Sequence, residues 1–183
     1  MPDRLPLLIL GLGNLLCSDD GLGAVAVDEL QRKFDSPPGV AILDGGTLGL
    51  SLLPYVRQAA AAILVDAIHA DRVPGSFVRL EGRDVGPAVL HRLSVHQVGV
   101  ADLLDGAQWL GEYPERVVLL GLVPDTLALG VGCSDPVRTA MPDLVKAIVD
   151  EARQLGFELV RKAEVAAPTA AVGRGDLARV LGV

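Results

Sequence analysis

Short aliphatic runs alternate with amphipathic segments along this chain, a pattern that predicts an α/β protein: a three-layer α/β/α sandwich around a mostly parallel five-stranded sheet. Two further observations agree. Half of the 183 residues are hydrophobic while Phe, Tyr and Trp make only 3%, so the core must be built from Leu, Val, Ile and Ala, as buried parallel strands require. Twenty-one glycines and twelve prolines provide for many sharp connections and argue against an all-helical bundle.

The elements follow in order. Leu7, Leu8, Ile9 and Leu10 form an apolar run stopped by Gly11, the expected first strand. From Leu22 the apolar positions Val25, Ala26, Leu30 and Phe34 recur at helical spacing, and the Ser36-Pro37-Pro38-Gly39 sequence closes that helix. Residues 40–43 read as a second strand ending at Asp44-Gly45-Gly46. Thr47 is placed to cap a helix running to Gln58, with Pro54 either kinking it or confining it to an irregular turn. Residues 61–65 make a third strand ending at Asp66, residues 76–80 a fourth whose charges suit a sheet edge, and residues 116–123 a fifth and central one. After Asp135-Pro136 the positions Val137, Met141, Leu144, Val145, Ile148, Ala152 and Leu155 describe the last helix. Pro142 marks a kink or a later start, and Gly156 ends it. The expected domain spans residues 1–162. The segment 163–183, rich in Ala, Gly and Arg, is expected to be a mobile tail with at most a short helix over 177–181.

Charge and composition exclude several classes of function. A net charge of −7 repels a phosphate backbone on average, so nucleic acid is not an expected partner. Mean hydropathy is high at +0.43, yet no apolar stretch approaches the ~20 residues of a membrane span. The opening Met-Pro-Asp-Arg leads into too short an apolar run for a signal peptide. Cys17 and Cys133 are isolated, without a disulfide framework or zinc ribbon. A cytoplasmic protein is expected.

In an open α/β sheet, ligands bind beyond the carboxyl ends of the strands. Acids stand at three such ends: Asp19-Asp20, Asp44 and Asp66. One such acid usually caps a helix or ties down a loop. Three on one edge repel each other unless a cation or a proton lies among them. Ser94-Val95-His96-Gln97 has the form of a capping box, with His96 in the first helical turn, where the helix dipole favours the neutral imidazole that ligates metals. Two carboxylates and an imidazole form a mixed oxygen and nitrogen set suited to zinc or nickel, with a coordination position left open. The plainer reading of His96 is a partly buried histidine bonded to backbone. His69, expected in a solvent-facing loop, and His91, among Arg and Leu, are weaker candidates.

Two other chemistries compete. Gly11-Leu12-Gly13 begins like a dinucleotide fingerprint, with Asp44 where a ribose-binding acid would stand. The third glycine is replaced by Leu16, however, and Asp19 and Asp20 occupy the place of the pyrophosphate. A Cys17 nucleophile paired with His96 is disfavoured by the neighbouring acids, which oppose thiolate formation, so Cys17 reads as a packing residue. Ser18 and Ser94 lack a nucleophile-elbow context.

Four stretches taken together resemble the signatures of a known family. The first is Gly11-Leu12-Gly13-Asn14-Leu15-Leu16-Cys17-Ser18-Asp19-Asp20-Gly21-Leu22-Gly23. Asp44-Gly45-Gly46-Thr47, Val65-Asp66-Ala67 and His96-Gln97-Val98-Gly99 follow, in the family's order. The family is the hydrogenase maturation endopeptidases, and the resemblance covers residues 7–157. It implies a five-stranded, phosphorylase/hydrolase-like α/β/α protein that removes a short C-terminal peptide from the nickel-iron hydrogenase large-subunit precursor once nickel is inserted. It further implies Asp20, Asp66 and His96 as metal ligands, nickel carried in by the precursor (zinc or cadmium could substitute for it in a structure), and Asp66 or Asp20 assisting the attack of water. The first ligand is glutamate in some members, and Asp20 reaches one methylene less. The resemblance also makes the Gly45-Gly46-Thr47 stretch a loop beside the site that admits an extended peptide; the alternative is an ordinary strand-to-helix turn. A non-catalytic metal-binding or precursor-binding chaperone is the remaining alternative, and a monomer is expected.

Overall fold

The computed structural model describes residues 4–85 and 98–163. Among these residues the strands are β1 (Leu5–Leu12), β2 (Phe34–Asp35), β3 (Val40–Gly46), β4 (Ala59–Ala67), β5 (Phe77–Glu81), β6 (Arg116–Leu122) and β7 (Val160–Arg161). The helices are α1 (Leu22–Lys33), α2 (Leu53–Gln58), α3 (Val98–Trp109) and α4 (Asp135–Gln154). The main sheet has the order β3-β1-β4-β6-β5, parallel throughout except for β5, which pairs antiparallel with β6 at one edge.

Alternation along the strands divides the interior into two cores. Leu7 and Ile9 of β1, Ile63 and Val65 of β4, and Val118 and Leu120 of β6 point to the face covered by α1 and α4. Leu8, Leu10, Leu64, Val117 and Leu119 point to the other face, against Leu52, Val56 of α2, and Leu104 and Ala107 of α3. Because both faces are covered, β1 and β4 read as continuous apolar runs instead of alternating ones. The expected three-layer sandwich is the observed one, and the 76–80 strand lies at the edge as its charges required. The middle of the sheet is held by β4. The strand expected there, β6, is interior but one place removed, between β4 and β5.

Three local expectations are corrected. Thr47 caps nothing: the chain makes a 3-10 turn over Gly49–Leu52, and α2 is a short helix that starts with Pro54 in its first turn. A proline without an amide proton is accommodated there, where no intrahelical partner exists for it. Pro142 does not delay α4, which runs unbroken from Asp135 to Gln154 with Pro142 inside and exposed to solvent. Phe34 leaves the helix that its spacing assigned to it and pairs with Arg161, so β2 and β7 form a small antiparallel ribbon. His91, Ser94, His96 and the tail beyond residue 163 lie outside the described residues.

The connections place a crevice. From β1 the chain passes to β3 on one side, and from β4 it passes to the β5–β6 side on the other. The carboxyl ends of β1 and β4, neighbours in the sheet, therefore have loops that diverge and leave a cleft between them.

Candidate functional site

Both aspartates singled out in the sequence lie at that cleft. Asp66 is the penultimate residue of β4, in register with Gly121 of β6 and only 3% exposed. Its Oδ1 accepts a hydrogen bond from the Ala67 amide at 2.8 Å. Asp20 sits in a 3-10 turn, Ser18–Gly21, between β1 and α1, and is 8% exposed. Its Oδ2 accepts from the Asn14 amide at 2.8 Å.

Glycine brings them together. Gly13 has φ +113°, and a Cβ added there would lie 1.7 Å from the Asp20 carbonyl oxygen and 3.6 Å from Asp66 Oδ1. Gly13 thus marks the point where the loop after β1 folds back on itself beside the end of β4, and any side chain would drive the Asp20 backbone away. Gly23, in the first turn of α1, serves a related purpose: its Cβ would lie 2.2 Å from the Val65 carbonyl oxygen and 2.4 Å from that of Leu12. The glycines of the first motif thus allow the helix to press on the strand ends.

The same geometry counts against a dinucleotide site. The Asn14 amide, which a pyrophosphate would need, is already taken by the protein's own Asp20 carboxylate. Asp44, the supposed ribose acid, is exposed and accepts from the Gly46 amide at 2.9 Å, closing its own turn. Asp44 therefore ties down its own loop. Gly46 has φ +46°, and its carbonyl accepts from the Gly13 amide at 3.1 Å, which joins the two glycine loops beside the cleft.

Asp19 behaves unlike its neighbour. It is fully buried and turns toward the loop between β6 and α4. Oδ2 accepts from the amides of Asp125 and Thr126 at 2.9 and 3.1 Å and from the Ser134 hydroxyl at 2.8 Å, while Oδ1 accepts from the Ser134 amide at 2.6 Å. Burial by itself raises the pKa of such a group. Here the hydrogen bonds from Ser134, Thr126 and Asp125 outweigh it and hold the carboxyl below the usual aspartate value. Ser134 is the N-cap residue of α4, yet its hydroxyl serves Asp19 and not the helix. In the sequence Asp19 stands out only as a member of the Asp19-Asp20 pair, and Ser134 does not stand out at all. The Ser-Asp-Pro stretch opening α4 is visible there, but nothing local says that its partner is 115 residues away.

The remaining expectations sort simply. His69 is exposed in the segment after β4, as expected of a loop histidine. Cys17 is half-buried and bridges to Gly130 through backbone. Cys133 is held in its thiol form by burial and by the nearby Asp19 charge. Among the described residues no group of three or more His, Cys, Asp and Glu side chains is arranged around a common metal position. The cleft offers two carboxylates, and the third expected donor, His96, falls outside those residues. A parallel sheet with its switch point between β1 and β4, and an aspartate beside each of those two strand ends, makes this an α/β protein of a different class from the nucleotide-binding folds with which its first loop could be confused.

Comparison with known proteins narrows the class. A family model described as hydrogenase maturation protease matches residues 25–151. The chain is 31% identical over 155 residues to the hydrogenase 2 maturation protease of Escherichia coli, covering 84% of this chain and 94% of that one. It is 36% identical over 167 residues to the hydrogenase expression/formation protein HupD of Rhodobacter capsulatus, covering 90% and 78%. Among solved structures, the hydrogenase maturating endopeptidase HybD of E. coli superposes with a TM-score of 0.82 at 30% identity, over 86% of this chain and 98% of the other. The chain belongs to the hydrogenase maturation proteases. It is accordingly an endopeptidase, and neither the oxidoreductase nor the chaperone alternative finds support among its relatives.

Proposed function

We propose that this endopeptidase removes a short C-terminal peptide from the large-subunit precursor of a nickel-iron hydrogenase after nickel has been inserted, and that Asp20, Asp66 and His96 engage the metal. The observation that carries the reading is that Gly13 lies against the Asp20 backbone on one side and the Asp66 carboxylate on the other, with both aspartates buried, in a chain that belongs to this family.

The chemistry follows from what the cleft contains. Hydrolysis breaks the scissile C–N bond, adds the hydroxyl of water to the carbonyl carbon and returns a proton to the leaving amine. An aspartate shielded from bulk solvent serves as the base that takes the first proton from water. Asp66 or Asp20 is assigned that task. Nickel is written here as part of the substrate, borne by the precursor; zinc or cadmium share the preference for oxygen and nitrogen donors and would be acceptable substitutes. Requiring the metal before cleavage makes processing conditional on correct loading. Asp20, one methylene shorter than glutamate, is carried toward the cleft by the turn in which Gly13 and the Asp20 carbonyl nearly touch.

In the same reading residues 1–162 form one peptidase domain that acts as a cytoplasmic monomer. The net charge of −7 disfavours nucleic acid, and no helix among the described residues is long and apolar enough to cross a membrane.

The test is to incubate the purified protein with nickel-loaded and nickel-free precursor and to weigh the precursor by mass spectrometry. Loss of a C-terminal fragment from the loaded form alone is expected. An unchanged mass with stable binding would sink the proposal in favour of a chaperone. Asp20→Ala, Asp66→Ala and His96→Ala are each expected to lower the cleavage rate at least about 100-fold while the circular dichroism stays that of the parent. Full activity in one of them removes that residue from the site.

A further inference from the structure

We propose that Asp19 is a positioning residue for the endopeptidase reaction: its buried carboxylate clamps the 3-10 turn to the loop between β6 and α4 and so holds the Asp20 carboxylate in the cleft. The inference rests on the reading of Asp20 as a site residue and adds to it the means by which Asp20 is held.

The turn is short and strained where it needs a clamp. Ser18, immediately before Asp19, has φ +51°, the left-handed region that costs a non-glycine residue free energy and persists only when its surroundings enforce it. The enforcement comes from one loop. The Ser18 amide donates to the Gly130 carbonyl at 2.9 Å, the Ser18 hydroxyl to the Ala128 carbonyl at 3.0 Å, and the Gly130 amide to the Leu16 carbonyl at 2.9 Å. The Asp19 amide donates to the Thr126 carbonyl at 3.2 Å. These contacts stitch the two strands of backbone side by side from Leu16 to Asp19.

Asp19 is the centre of the stitch. Its two oxygens, fully buried, take four donors, three of them amides of the β6–α4 loop and of the α4 N-cap. The Ser134 amide and hydroxyl lie at the N-terminus of a 20-residue helix, whose dipole further favours the anion. Asp20 follows directly, its amide bonded to the Cys17 carbonyl at 3.1 Å and its carboxylate to the Asn14 amide. A shift in Asp19 is therefore transmitted through one peptide bond to Asp20. In the Asp19-Asp20 pair, the first acid is scaffold and the second faces the cleft.

Asp19→Ala and Asp19→Asn are made in the full chain, with Asp20→Ala beside them. Three quantities are measured: the cleavage rate at saturating nickel-loaded precursor, the precursor concentration at half-saturation, and the resonance and exchange rate of the Asn14 amide. Asp19→Ala is expected to lower the saturated rate about 100-fold, the scale of a misplaced reacting group. Half-saturation should rise by much less than the rate falls, because Asp66 and His96 still engage the precursor's metal. The Asn14 amide should shift and exchange faster. Asp19→Asn, which keeps one accepting oxygen and turns an amide group toward the remaining donors, should restore part of the rate and part of the protection. If Asp19→Ala does not fold, Asp19→Asn decides by the same readings. Parental rate and parental Asn14 protection in Asp19→Asn would overturn the proposal. A lost rate with an unmoved Asn14 amide would overturn it too, since Asp19 would then act by another route. Full activity in Asp20→Ala defeats the site reading instead; the Asn14 amide still reports whether Asp19 holds Asp20.

Discussion

At Gly13 the backbone is asked to do something that no other residue does without strain. Its φ is +113°, and a Cβ at this position would stand 1.7 Å from the Asp20 carbonyl oxygen, so Gly13→Ala must displace the turn. Such a variant is expected to remain folded but to lose about 1–3 kcal/mol of stability, read by urea unfolding, and to lose cleavage activity with it. Asp19 makes a second residue-level expectation. Its carboxyl is held below the usual aspartate value in the folded chain, so the unfolded state takes up that proton first. The stabilisation is complete above the unfolded value and is lost as pH falls through the folded one. Thermal melts of the parent should therefore decline at pH values below 3.8, the ordinary value for this carboxyl, and Asp19→Asn should show a shallower decline over that window. An identical decline would mean that other carboxylates carry the acid limb.

The elements carry two further expectations. Pro142 lies inside α4, exposed, where it cannot donate to the carbonyl one turn earlier. Pro142→Ala restores that hydrogen bond without disturbing packing, offset by a freer unfolded chain, and should raise stability by about 2 kcal/mol in chemical denaturation. Glu151, 3% exposed near the end of the same helix, receives Nε and Nη2 of Arg79 at 2.8 and 2.9 Å and thereby fastens α4 to the edge strand β5. The Glu151 and Glu81 carboxylates drive the Arg79 pKa further up, so the guanidinium stays charged. Arg79 is itself about a third exposed, which screens the interaction. Glu151→Ala should cost about 2 kcal/mol, below the full penalty for breaking a buried pair.

For the whole molecule, the topology explains why a cleft opens between β1 and β4. The order β3-β1-β4-β6-β5 makes the loops from β1 and β4 part company, and Asp20 and Asp66 stand on the two sides of that parting. The isolated protein is expected to scatter light as a monomer of 19.1 kDa; a mass of twice that would call for a site shared between copies. Much of this was legible along the chain, because its information is local. An aliphatic run such as residues 61–65 cannot avoid being a buried strand, and an acid that ends it must lie on the carboxyl edge of the sheet. Asp19, Asp20, Asp44 and Asp66 could be picked out for that reason, and four motifs in order could indicate the family and through it single out Asp20 and Asp66. Long-range partners were not legible. Whether Asp44 faced a ligand or closed its own turn depended on a bond to Gly46, and the different partners of Asp19 and Asp20 depended on a loop more than a hundred residues away. Phe34 likewise had helical spacing but gained a strand partner in Arg161. Propensity and periodicity act over a few residues, whereas the fate of a buried polar group is settled by whichever donors the fold brings to it. The chain order thus announced the layers and the acids, and packing decided that Asp19 is buried among donors from the β6–α4 loop while Asp44 closes its own exposed turn.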